Sequence, residues 1–105
     1  MKQKESIKKN IKSLYSFIKN KYKNNIKGIK VILLNNNMDC YDLFFKTSET
    51  YNKKIILYIN NRHIKDILRS FSVELVGILD ENKTLENKYL KGNMLFREWT
   101  EINKK

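Results

Sequence analysis

The sequence predicts an α/β fold, a three-layer α/β/α sandwich built on a small, mainly parallel sheet. Three observations carry this. Short apolar runs rich in Ile, Val and Leu alternate with longer segments whose apolar residues recur every three or four positions. Such alternation implies right-handed crossovers with helices on both faces of the sheet. The chain has no Pro and only three Gly, so little of it suits a long loop. Its 105 residues fit one domain, 1–105, around a single core.

The first element is a basic helix over about 6–26. Ile7, Ile11, Leu14, Ile18 and Tyr22 fall within an arc of about 80° on a helical wheel. Ser6 suits the N-cap, and Gly28 follows as a C-cap. Lys8, Lys12, Lys19, Lys23 and Lys27 form a second arc of about 100° on its flank, with Lys9 nearby. The run 29–34 reads as a strand buried on both faces, closed by a turn at Asn35, Asn36 and Asn37. Asp39 is placed to cap the next helix, whose inner face is Cys40, Phe44, Thr47 and Tyr51. Residues 55–59 form the second strand, with Asn60 and Asn61 as turn and cap. Ile64, Ile67, Leu68 and Phe71 mark a short third helix, and 74–79 the third strand, closed by Asp80, Glu81 and Asn82. A basic helical tail covers about 83–105, interrupted at Gly92 and Asn93.

The charge is concentrated at the ends. The chain carries a formal net charge of +11, yet residues 31–82 are close to neutral. Residues 1–30 hold ten Lys and one Glu, a net of +9. Lys, Asn and Ile are the residues that an AT-rich genome over-encodes, but codon bias does not account for the scarcity of acids beside these lysines. A solvated helix face normally mixes signs to gain i,i+4 pairs, whereas like charges at that spacing repel. A partner's counter-charge explains the row, and phosphate backbone is the simplest source, since Lys contacts it without base-specific geometry. RNA is the expected partner, with neighbouring ribonucleoprotein subunits beside it. A protein-interaction module or inhibitor binding an acidic protein surface is the alternative.

Other function classes lack their residues. One Cys excludes an intrachain disulfide and Cys-rich zinc sites, and one His excludes two-His metal motifs. Three scattered glycines exclude Gly-rich phosphate loops. No run reaches the roughly 18 apolar residues of a membrane span, and no secretory signal pattern opens the chain, so a cytoplasmic setting without a membrane partner is expected. Cys40 near a helix start reads as a packed thiol. His63, Asp80 and Glu81 are the residues an enzyme would use, as general base and magnesium ligands. No nucleophile accompanies them, and the first strand ends in asparagines instead of the acidic pair of a phosphoacceptor domain. No enzyme activity, small-molecule substrate or cofactor is expected.

Over residues 29–80 the order of elements resembles the kink-turn-binding ribosomal-protein superfamily of the L-seven-Ae and L-thirty-e type. The resembling stretches are Lys30 to Asn37, Lys54 to Asn61, Ile64 to Phe71 and Val73 to Leu79. They are similar to the family's first strand and loop, second long strand and turn, short helix and last core strand. The family's Gly-Asn-Glu motif has no counterpart in residues 6–27. The resemblance implies a three-layer fold and RNA binding within a ribosome or other ribonucleoprotein. It implies that Ser70 and Ser72 occupy an RNA-contact loop.

Overall fold

The computed structural model describes residues 2–23, 26–34, 48–59 and 62–103. They form α1 (Lys2–Lys19), β1 (Lys30–Leu34), β2 (Ser48–Tyr51), β3 (Lys54–Tyr58), α2 (Ile64–Leu79) and α3 (Leu85–Ile102). The fold is mixed α/β: three helices and a three-stranded sheet of order β1-β3-β2. The sheet is mixed, not mainly parallel. β1 runs parallel to β3, with Val31 opposite Ile55 and Leu33 opposite Leu57, while β2 pairs antiparallel.

The stripe read from the sequence forms the core face of α1. Ile7, Ile11, Leu14 and Ile18 are all buried, and each such side chain contributes about 1.5–3 kcal/mol. The helix starts and stops earlier than the stripe suggested, so Ser6 lies within it and Gly28 is no cap for it. Gly28 instead takes a left-handed φ of +80° where the chain turns towards β1. Tyr22 lies beyond the helix, half-buried, and donates its hydroxyl to Asp80 Oδ2 at 2.8 Å.

Among the described residues β1 stands at the sheet edge and is only half-buried, so its apolar run does not mark a strand buried on both faces. Val31 and Leu33 still pack on the core. Ser48–Tyr51 is a strand where a helix end was expected, and Tyr51 is exposed. The hairpin to β3 turns through Asn52 and Lys53, both at positive φ, the two-residue geometry that matches strand twist. Cys40, Phe44, Thr47 and the Asn35–Asn37 and Asn60–Asn61 turns lie outside the described residues.

The largest correction concerns residues 74–79. They are the second half of α2, not a third strand, so Val73–Leu79 does not match the family's last core strand. α2 touches β2, β3, α1 and α3, and buries Phe71, Leu75, Val76 and Leu79 among them. A helix covered on several sides loses its polar face, and its sequence becomes a continuous apolar run. Gly92 and Asn93 do not interrupt the tail, because α3 is one helix through both. Ser72 Oγ donates to the Gly92 carbonyl at 2.6 Å where α2 and α3 cross.

Two buried carboxylates tie the layers together. Glu74 accepts from the Ser48 and Thr50 hydroxyls of β2 and from Lys88 Nζ of α3 at 3.1 Å. Asp80, just past α2, accepts from Tyr22, from Lys91 Nζ at 3.2 Å and from the Asn82 amide. Burial alone would raise the Asp80 carboxyl, but the Asn82 amide, the Tyr22 hydroxyl and Lys91 outweigh it and hold the group at about 2. Burial and the Asp80 carboxylate push the Tyr22 hydroxyl up. Asp80 therefore stabilises the fold above its unfolded pKa of about 3.9, and this contribution is lost as pH falls through about 2. Asp80→Asn is expected to cost about 2 kcal/mol at pH 6, the range of hydrogen bonds to a charged group. The gap to wild type should close between about pH 4 and 2, read by denaturant unfolding of the single tryptophan, Trp99. A gap that persists unchanged at pH 2 would contradict the assignment.

Candidate functional site

α1 presents three sides. Its apolar stripe faces α2. The side bearing Ser13 and Phe17 meets α3, where Trp99 Nε1 donates to Ser13 Oγ at 3.0 Å. The side bearing Lys4, Lys8 and Lys12 remains, and it overhangs the edge strand β1. Between them lies a groove of about 760 Å³ lined on the strand side by Ile29, Val31, Ile32 and Leu33, of which Val31 and Leu33 share the sheet face towards α2. The three lysines are one helical turn apart, so they form a row along the rim.

A second groove of about 470 Å³ adjoins the first, and Tyr15 lines both. Around it stand Lys19, Lys23 and Lys27. The lysine arc of the sequence reading is therefore realised differently. α1 ends at Lys19, so Lys23 and Lys27 reach the same side from the segment that follows. Lys19 Nζ donates to the Ile26 carbonyl at 3.0 Å and secures that segment. Lys9 is exposed and lines neither groove. Lys4 was missed, because a helix taken to start at residue 6 left it out; its i,i+4 spacing to Lys8 was the available signal.

The exposed lysines on this side stand apart from the ion pairs of the described residues. Among the described residues, ion pairs join Lys21 to Glu98, Arg69 to Asp66, Lys88 to Glu74 and Lys91 to Asp80. Lys8, Lys12, Lys23 and Lys27 take no part in them and are exposed. The four acids of these pairs lie in or next to α2 and α3, and the exposed lysines add positive charge along the grooves.

The remaining predicted residues fall elsewhere. Ser72 is fully buried at the α2–α3 contact and cannot reach a ligand, so it leaves the site. Ser70 is in mid-helix, not a loop, and accepts from Arg62 at 2.9 Å in a separate depression. Asn35, Asn36 and Asn37 are outside the described residues. His63 caps α2, its Nδ1 accepting the Lys65 amide at 3.1 Å. It is therefore a 16-residue helix away from Asp80 and Glu81, roughly 24 Å. Among the described residues no group of three or more His, Cys, Asp or Glu gathers to hold a metal ion, and no helix is long and apolar enough to cross a membrane. No protein-family model, curated protein or solved structure matches the chain.

Proposed function

We propose that this chain is a small basic RNA-binding protein, a structural component of the ribosome or another ribonucleoprotein, docked through the lysine side of α1 and the segment after it. One observation carries the reading: exposed Lys8, Lys12, Lys23 and Lys27 line adjoining grooves on one side of the molecule and take no part in the ion pairs of the described residues. Their mutual repulsion weakens α1 in isolation. Phosphates reverse that cost and release counterions on binding. The third layer of the expected sandwich belongs to the same proposal; it requires cover over the sheet face of Ile32, Ile56 and Tyr58, opposite α2.

Replacing Lys8, Lys12 and Lys23 with Glu is expected to lower RNA affinity at least 100-fold in 0.1 M salt. The three Gln replacements should flatten the slope of log K against log salt by about two to three. Unchanged affinity in the Glu variant would sink the proposal. The outer edge of β1, unpaired among the described residues, favours a second reading, a module for an acidic protein surface. A pull-down under nuclease treatment separates the two, because only a protein partner survives RNA removal.

A further inference from the structure

We propose that the two grooves form one track for an unpaired stretch of RNA, with phosphates on the lysine rim and bases on the apolar floor. This rests on the RNA-binding reading above and specifies its ligand. The rim sets the spacing. Lys4, Lys8 and Lys12 follow one another at about 6 Å along the helix axis. That is close to the separation of consecutive phosphates along an extended strand, so each lysine meets a successive phosphate.

The floor decides between single and paired strands. Ile29, Val31 and Leu33 offer half-buried aliphatic surface in the same groove as Lys4, Lys8 and Lys12. A duplex turns phosphates and sugars outward and keeps its bases stacked inside, so it cannot use such a floor. An unpaired strand can, since every base has an apolar face that stacks without regard to sequence. Tyr15 is half-buried where the grooves meet, with lysines on both sides of it. A base lying on the tyrosine carries the strand from one groove to the other. Among the described residues no strand pairs with the outer edge of β1, which forms one side of the track.

The test uses the full chain and fluorescence anisotropy with a labelled oligouridine of about a dozen nucleotides, alone or annealed to oligoadenosine, in 0.1 M salt. The single strand is expected to bind at least tenfold more tightly. Tyr15→Ala should weaken the single strand by about tenfold, the measure of one lost base stack, and leave the duplex unchanged. Tyr15→Phe should restore it. Photocross-linking of a 4-thiouridine strand to the unsubstituted protein gives a readout independent of any variant's folding, and cross-links are expected on Tyr15 and residues 29–33. Equal affinity for both forms, or cross-links confined to other surfaces, would overturn the track while leaving RNA binding intact. No RNA binding, with tight binding of a labelled oligoglutamate, would overturn both readings in favour of an acidic protein partner.

Discussion

Gly92→Ala is expected to destabilise this protein by about 3 kcal/mol or more, a large part of the total for a domain of this size. A Cβ at Gly92 would lie 2.5 Å from Val73 Cα and 2.9 Å from Val73 N, both backbone atoms of α2. Neither rotates away, so α2 and α3 must separate, and the Ser72 to Gly92 hydrogen bond goes with them. Val73→Ala should not rescue the variant, since of the three close contacts it relieves only the one with Cγ2 and leaves both backbone contacts. Gly77→Ala is the control. Its added carbon meets only the Lys88 side chain, at 3.2 Å, and relieves the cost of a glycine inside a helix. It should change stability by less than about 1 kcal/mol. Denaturant midpoints from Trp99 fluorescence decide the matter, and a Gly92→Ala midpoint equal to wild type would refute the close crossing.

Glu74→Ala is expected to cost about 3–5 kcal/mol, because it strips a buried carboxylate from a partly buried Lys88. The hydroxyls of Ser48 and Thr50 lose their acceptor at the same time. The pair is costly to break without being costly to replace. Glu74→Leu combined with Lys88→Met should recover most of the loss, since apolar side chains of similar volume need no partner. Ser48 is half-buried and Thr50 exposed, so water can take over at their hydroxyls. If the double variant is no more stable than Glu74→Ala, the loss lies in helix packing and not in the uncompensated ammonium.

Both variants test α2, the element the sequence reading divided. Its first half is amphipathic enough to read as a helix from Ile64, Ile67, Leu68 and Phe71. Its second half is apolar on nearly every side, and such a run fits a buried strand as well as a buried helix. Length would have favoured the helix only if the two halves had been joined, and the loop that the resemblance implies at Ser70 and Ser72, with a strand from Glu74, kept them apart. Each of these polar residues proves to be partnered: Ser70 by Arg62, Ser72 by the Gly92 carbonyl, Glu74 by Ser48, Thr50 and Lys88. Those partners come from other elements, so nothing local to residues 70–74 announces them. Gly92 misled in the same way. A glycine within a helical pattern reads as a stop, whereas here it is required by a neighbouring helix.

The site was more legible than the core. A lysine row beside an apolar stripe is a property of one helix, and helical periodicity follows from local backbone geometry. Lys8 and Lys12 could thus be placed on a common flank of α1 from spacing alone. The sequence by itself determined the core face of α1, the strands near 30–34 and 54–58, and the concentration of positive charge in the first thirty residues. These depend on side-chain period and on charge, which are written along the chain. The tertiary structure decided that β1 stands at the sheet edge among the described residues, that α2 is a single central helix, and that aliphatic residues of 29–33 share a groove with Lys4, Lys8 and Lys12. Those depend on which surfaces meet across the fold, and burial from several sides erases the periodicity by which a sequence reports its own structure.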